Sequence, residues 1–135
     1  MLIHRINRGD EYYVFPGGGV EENEKVEDAV LREVKEETSL SVEIKKLLYH
    51  ENHSDGTEQF FFLCEYLSGH PKLGDFNESQ EMKNGGKNFF DPVWYDIEKI
   101  KNLILYPLTI RDYVLRDYKN NFDTVFEEDF IEISK

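Results

Sequence analysis

Residues 13–40 read YVFPGGGVEENEKVEDAVLREVKEETSL, a strand-like run followed by a glycine-rich turn and a helix-like segment. Pro16 and the three glycines after it interrupt regular structure, whereas residues 25–38 contain good helix formers and neither Gly nor Pro. We therefore predict a helix over about residues 25–38 that is entered through a glycine-rich loop.

This helix carries an apolar stripe that runs into carboxylates. At 100° per residue, the stripe is formed by four aliphatic residues, Val26, Ala29, Val30 and Val34. Three glutamates lie on or beside the same arc, Glu33, Glu36 and Glu37. Such carboxylates repel one another, and Arg32 alone cannot neutralise three of them. A hard divalent cation with oxygen ligands can do so, and the alternative is a solvated acidic face.

The spacing around these glutamates is specific. Five residues separate Gly18 from Glu24 and seven separate Glu24 from Arg32, which begins the run Arg32, Glu33, Val34, Lys35, Glu36, Glu37, Thr38, Ser39 and Leu40. This resembles the Nudix box, Gly-x5-Glu-x7-Arg-Glu-U-x-Glu-Glu-x-Gly-U with U aliphatic, and departs from it only at Ser39, where the box has Gly. The strand and turn over residues 13–21 and the segment Pro92-Val93-Trp94 also resemble the family, so the resemblance covers most of the chain.

The resemblance implies an α+β fold, an α/β/α sandwich in which helices flank a mixed sheet. Members of the family usually carry one more strand before the equivalent of residues 2–5. We therefore expect a sheet that lacks its N-terminal strand, an edge supplied by a partner chain, or a start codon placed too late. The sequence does not choose among these three.

The resemblance also assigns roles to the box. The residues that would bind Mg²⁺ or Mn²⁺ and take part in catalysis are Glu33, Glu36 and Glu37. Arg32 would orient a glutamate for catalysis, and the backbone of Gly18 and Gly19 would shape the loop that binds the substrate. Glu24 is expected to fix this loop to the helix.

A further carboxylate from a long loop commonly completes the site in this family, as a metal ligand or as the base. Glu81 is our first candidate and Glu78 the second, because both precede Trp94 in the polar, glycine-rich segment 68–91. For each of these two residues, the alternative interpretation is a solvated loop glutamate that takes no part in the site. Whether Glu33 or Glu81 acts as the general base stays open.

Arg5 lies on the strand that leads to the glycine-rich loop. We assign it to substrate binding through a phosphate, with a surface salt bridge as the alternative. The strand itself belongs to a predicted hairpin, because residues 2–6 alternate between apolar and polar and Arg8-Gly9-Asp10 is a turn signal.

Further elements follow from local patterns. Residues 41–53 and 57–67 are predicted to form a hairpin around Asp55-Gly56. Residues 93–97 are predicted to form a strand, and 108–118 a C-terminal helix after Pro107. We predict one domain over residues 1–135, with a core over 1–120 and an acidic tail, 121–135, whose structure is left unassigned.

The composition restricts the partners. The chain has 16 Lys and Arg against 28 Asp and Glu, a net charge of -12, which repels a polymeric nucleic acid but not a metal-bound small nucleotide. One cysteine, Cys64, cannot form an internal disulfide, and no apolar run approaches a signal peptide or a membrane span. We therefore expect a cytoplasmic protein without membrane contact, and we leave self-association into a homodimer open.

The leading hypothesis is a metal-dependent hydrolase. It would cleave the pyrophosphate bond of a nucleoside diphosphate linked to a group X, with water attacking phosphorus. The alternative is a Nudix-like sensor that binds a nucleotide without cutting it, although such modules usually lack the box carboxylates that this chain keeps. Substrate choice lies in the loops, so the candidates range from nucleoside triphosphates to sugar and dinucleotide diphosphates.

Overall fold

The computed structural model describes residues 1–72, 88–123 and 130–133. The chain begins with a hairpin of β1 (Leu2–Asn7) and β2 (Asp10–Val14). Its two-residue turn is formed by Arg8 and Gly9, whose φ angles are 52° and 89°. Positive φ at both positions gives the twist that a tight antiparallel hairpin requires, so the turn predicted from the sequence is present.

A mixed sheet is built around this hairpin in the order β5-β1-β2-β6. Strand β5 (Asn88–Val93) runs antiparallel to β1, and the short β6 (Leu105–Tyr106) runs parallel to β2. Strand β1 is therefore paired on both of its edges, and side chains from both neighbouring strands flank those of β1.

A second sheet has the order β4-β3-β7. The predicted hairpin is present as β3 (Ser41–His53) and β4 (Glu58–Ser68). The acidic tail, which the sequence left unassigned, contributes β7 (Phe130–Ile133), which runs parallel to the last residues of β3.

In the described part of the chain, two α-helices pack against these sheets. Helix α1 (Val26–Thr38) contacts β3 and buries Ala29, Val34 and Thr38, which is close to the apolar stripe read from the sequence. Helix α2 (Leu108–Asp117) begins after Pro107, as predicted, and continues into a short 3-10 turn, Tyr118–Asn120. None of the helices in the described ranges is long and apolar enough to cross a membrane.

The core has two parts, and α2 contributes to both. One part centres on Leu48 and Tyr49 of β3 with Ile110 of α2. The other part is formed by Leu2 of β1, Leu105 of β6 and Ile100, which lies in the segment before β6. The partly buried Phe15 and Val114 contact both parts, so the two sheets share α2 as a common packing partner. The α+β class predicted from the sequence is confirmed.

The strand predicted over residues 93–97 was placed too late. The strand ends at Val93, and Ile97–Asn102 forms a 3-10 helix. Asp96 caps this helix, because its Oδ1 accepts a hydrogen bond from the Glu98 N–H at 3.0 Å. An N-cap of this kind ends an extended segment. Pro92 is accommodated because β5 is an edge strand of its sheet, where a missing N–H costs little.

Candidate active site

Arg32 is the centre of a hydrogen-bonded cluster at the start of the glycine-rich loop. Its Nε and Nη2 donate to the two carboxylate oxygens of Glu24 at 2.8 and 2.9 Å, a bidentate arrangement. Nη2 also donates to the Gly19 carbonyl at 3.0 Å. Nη1 donates to Glu33 at 2.8 Å and to Glu36 at 3.2 Å. One guanidinium thus connects the loop to two of the three box carboxylates.

Glu24 is held in place from two sides. Besides Arg32, the backbone N–H of Glu21 donates to its Oε1 at 3.0 Å. These hydrogen bonds, that of Arg32 first, lower the pKa of Glu24 to about 2. Glu24 and Glu33 in turn raise the pKa of Arg32 above its ordinary value. The pair is therefore ionised throughout the physiological range, and Glu24 ties the loop to the helix.

Glu33 packs directly against the backbone of Gly18. A Cβ atom built on Gly18 would lie 2.6 Å from both Cδ and Oε2 of Glu33. The Glu33 side chain is only 14% exposed, so it has little room to move away. The physical role of glycine at position 18 is thus to let a carboxylate approach the chain at this point.

Glu37 and Glu36 complete the group on the last turns of α1. The backbone N–H of Gly17 points to Oε2 of Glu37 at 3.4 Å, a long hydrogen bond. Glu36 is more exposed than Glu33, with 39% of its side chain accessible against 14% for Glu33. The glycine-rich loop therefore lies against Glu33 and Glu37, and Arg32 holds Glu33 and Glu36.

The chemistry of these donors suits a hard divalent cation. Carboxylate oxygens are the ligands that Mg²⁺ prefers, and Mg²⁺ commonly uses one or two carboxylates while keeping several waters. Within the described residues, however, no three His, Cys, Asp or Glu side chains already converge as a ready-made ligand group. Glu33 and Glu36 instead share one nitrogen of Arg32. A bound ion would therefore compete with Arg32 for these oxygens.

The last turn of α1 ends at Ser39, where the box has Gly. Ser39 adopts a left-handed conformation with φ of 64° and ψ of 10°, and its N–H donates to the Lys35 carbonyl. Its hydroxyl donates to the Lys72 carbonyl at 2.8 Å. The serine thus makes the turn that glycine makes more easily, and a hydrogen bond compensates for part of the cost.

The remaining sequence-based candidates are placed differently. Arg5 is not in the Arg32 cluster: it lies on β1 between two aromatic rings, those of Tyr12 and Phe90. Phe90 was not singled out from the sequence, because nothing in a single chain shows that it pairs with Arg5 across two strands. Glu81 and Glu78 lie outside the described residues.

Comparison with known proteins identifies the family of this chain. The NUDIX domain model matches residues 1–116. The chain is 34% identical over 94 residues to the putative nudix hydrolase 1 of Caenorhabditis elegans, covering 70% of this chain and 22% of that protein. It is also 34% identical over 106 residues to the ADP-ribose pyrophosphatase of Methanocaldococcus jannaschii, covering 74% of this chain and 62% of that protein. The chain thus spans less than two thirds of either relative.

Among solved structures, a NUDIX hydrolase from Nitrosomonas europaea has the same fold. The two superpose with a TM-score of 0.70 at 18% sequence identity, over 98% of this chain and 71% of the other. At this identity the likeness concerns the fold, and the family follows from the domain model that spans most of the chain. The chain belongs to the NUDIX domain family.

Proposed function

We propose that this protein is a metal-dependent hydrolase that cleaves the pyrophosphate bond of a nucleoside diphosphate linked to a group X. The observation that carries the proposal is the arrangement of Glu33, Glu36 and Glu37 around Arg32 and the glycine-rich loop. These carboxylates are costly to gather on one helix face, and a divalent cation would offset their repulsion. Membership of the NUDIX domain family supports the same assignment.

In this proposal the three box glutamates would hold Mg²⁺ or Mn²⁺, with Glu81 as a further ligand. The bound ion would supply charge neutralisation on the phosphates and a lowered pKa for a bound water. Arg32 acts as a positioning residue, because its hydrogen bonds fix Glu33 and Glu36 relative to the loop. Water would attack phosphorus and give its proton to Glu33 or to Glu81, while the bond from that phosphorus to the bridging oxygen breaks and the other phosphate leaves.

The loop and β1 would hold the substrate. Gly18 presents backbone without a side chain beside Glu33, and a Cβ at Gly19 would meet open space, so a diphosphate could approach this part of the loop closely. Arg5 is the proposed contact to a phosphate. The Methanocaldococcus jannaschii relative bears the name ADP-ribose pyrophosphatase, so ADP-ribose is the first substrate to test, beside nucleoside triphosphates and dinucleotide diphosphates.

The proposal is tested by product analysis. The purified protein is incubated with this panel in Mg²⁺, Mn²⁺ or chelator, and the products are identified by mass spectrometry. A Glu37→Gln variant removes one proposed ligand, and Asp28→Asn removes one charge from an exposed position in the first turn of the same helix. We expect metal-dependent cleavage that is strongly reduced in Glu37→Gln and retained in Asp28→Asn.

Two outcomes would count against the hydrolase. Cleavage that persists in chelator would show that the reaction does not require a divalent metal ion. A folded wild-type protein that binds a nucleotide tightly and leaves every substrate intact would identify a sensor instead, and equilibrium dialysis on the same panel distinguishes this outcome from a missing substrate.

A further inference from the structure

Arg5 occupies an unusual position in the mixed sheet. It lies on β1, between its cross-strand neighbours Tyr12 on β2 and Phe90 on β5. The guanidinium carbon is 4.3 Å from the centre of the Phe90 ring and 5.5 Å from that of the Tyr12 ring. Two aromatic rings from opposite sides therefore hold one cation, a favourable arrangement for a guanidinium.

The guanidinium has no acidic partner among the described residues. The Nε of Arg5 is buried and makes no hydrogen bond there. The partly buried Arg32 and Arg111 are satisfied, since Arg32 binds Glu24 and Glu33, and Arg111 binds Asp112. In a chain with 28 acidic residues, a sheltered arginine that meets no carboxylate in the described ranges is unexpected from charge statistics alone.

The surroundings determine what this arginine can bind. The aromatic rings occupy the sides of the guanidinium, which leaves its edge, with the Nη donors, for a ligand. A fixed planar edge with two parallel N–H groups matches the oxygen pair of a phosphoryl group. Because the stack already orients the side chain, less conformational entropy is lost when the anion binds.

Arg5 also shares a strand face with the approach to the glycine-rich loop. Arg5 pairs with Tyr12 and Ile3 pairs with Val14, so these four side chains lie on one face, while Leu2 and Tyr13 on the other face contact the core. Gly17 follows Val14 by three residues, and its N–H reaches Glu37. Five residues of extended chain, from Tyr12 to Gly17, span at most about 18 Å.

We propose that Arg5 is an anion-recognition residue that binds, through the edge of its guanidinium, a phosphoryl group carried by X. The inference rests on the proposed function for the reaction, and it narrows the substrate class. A nucleoside diphosphate whose X bears its own phosphoryl group, as in a nucleoside triphosphate, is preferred over one whose X is an uncharged sugar.

Binding of inorganic phosphate in chelator tests this recognition without requiring hydrolysis. Phosphate is titrated at low salt, and the Arg5 side-chain Nε–H signal is followed by NMR. The variant Arg5→Met keeps an apolar stem between the rings but loses the charge and the donors. The control Arg8→Met makes the same charge change at the exposed hairpin turn. We expect saturable binding that weakens roughly ten- to a hundredfold in Arg5→Met and stays unchanged in Arg8→Met.

Arg5→Lys distinguishes the contribution of the planar guanidinium edge to phosphate affinity from that of the charge. It also replaces Arg5→Met as the test variant if Arg5→Met fails to fold. Lysine retains the positive charge but not the fork, so we expect affinity between those of wild type and Arg5→Met. Equal phosphate affinity in wild type and either Arg5 variant would overturn the proposal, as would no saturable binding by the wild type.

The substrate preference is tested separately. If the protein is an active hydrolase, the ratio of kcat/KM for a nucleoside triphosphate to that for ADP-ribose should fall roughly tenfold or more in Arg5→Met, mainly through KM. An unchanged ratio would contradict the role of Arg5 in selecting X. An inactive wild type that binds phosphate through Arg5 would contradict only the proposed hydrolysis.

Discussion

Arg32 and Glu24 form a planar two-point contact, with 2.8 Å from Nε to Oε2 and 2.9 Å from Nη2 to Oε1. We expect Arg32→Lys to lower activity by about ten- to a hundredfold, the range found when groups that orient metal ligands are removed. Lysine keeps the charge but cannot bind Glu24, Glu33 and Glu36 at once. Steady-state kinetics over a range of Mg²⁺ concentrations provide the measurement, with circular dichroism as the control for folding. A lysine variant with wild-type kinetics would show that the guanidinium geometry is dispensable.

Gly18→Ala should disturb the site through one methyl group. The new Cβ would lie 2.6 Å from the Glu33 carboxylate, which must then move. We expect weaker Mn²⁺ binding, measured by titration calorimetry, and at least a tenfold loss of activity, because a displacement of about 1 Å can cost a hundredfold.

Gly19→Ala is the natural comparison for this variant. A Cβ at position 19 meets no atom within 4 Å. We therefore expect a clearly smaller loss of Mn²⁺ affinity from Gly19→Ala than from Gly18→Ala. Equal losses from both variants would indicate that backbone freedom of the loop, not the contact with Glu33, explains the glycines.

Ser39 offers a test of how the chain ends α1 without the glycine of the box. Ser39→Ala keeps the left-handed conformation but loses the hydrogen bond to Lys72, so it should destabilise the protein by about 1 kcal/mol. Ser39→Gly loses the same hydrogen bond but relieves about 1 kcal/mol of backbone strain, so its free energy of unfolding should be close to that of wild type. Urea unfolding of the three proteins gives these free energies. An alanine variant as stable as the glycine variant would mean that the conformation at residue 39 carries no strain.

Glu51 on β3 should make stability depend on pH. It is fully buried, its carboxylate oxygens have no hydrogen-bond partner among the described residues, and His53 Nε2 lies 3.9 Å away. Burial raises the pKa of Glu51 above the ordinary 4.5, and His53 opposes the shift. A raised pKa favours the protonated form in the folded state. The contribution of Glu51 to the free energy of unfolding is therefore complete below pH 4.5. It is lost as the pH rises through the pKa that Glu51 has in the folded protein.

Glu51→Gln imitates the protonated form at every pH. We expect its free energy of unfolding to fall less than that of wild type as the pH rises from about 4.5. Exposed Glu22→Gln serves as the control, with a profile parallel to that of wild type. Denaturant unfolding at several pH values is the measurement, and identical profiles for wild type and Glu51→Gln would mean that Glu51 is already satisfied when ionised.

Features that depend on neighbours in sequence were well predicted. Helix α1 runs over Val26–Thr38, within one residue of its predicted start, because its apolar spacing and its helix formers are local signals. Both hairpins also follow from local turn chemistry, at Arg8-Gly9 and at Asp55-Gly56. The box spacing pointed to the side chains that Arg32 brings together, since residues three and four apart on a helix are neighbours.

Features that depend on distant pairings were predicted less well. Strand β5 was placed too late, because Val93-Trp94-Tyr95 has strand-like composition, whereas the strand ends at Val93 and Asp96 caps the 3-10 helix that follows. Likewise, the aromatic neighbours of Arg5 come from two other strands, and no periodicity in β1 reveals them. The sequence placed Arg5 on the strand that leads to the glycine-rich loop, but it did not predict that Arg5 would meet no carboxylate among the described residues.

The parallel pairing of β7 with β3 has a consequence for the order of events during synthesis. His50 pairs with Phe130, and their positions differ by 80. A ribosome releases the chain from its N-terminus, so β3, β4 and α1 emerge and can fold together while the second edge of β3 is still without its partner. The sheet that supports helix α1 is therefore completed only after residues 130–133 have left the ribosome, and until then β3 presents an open edge to other chains.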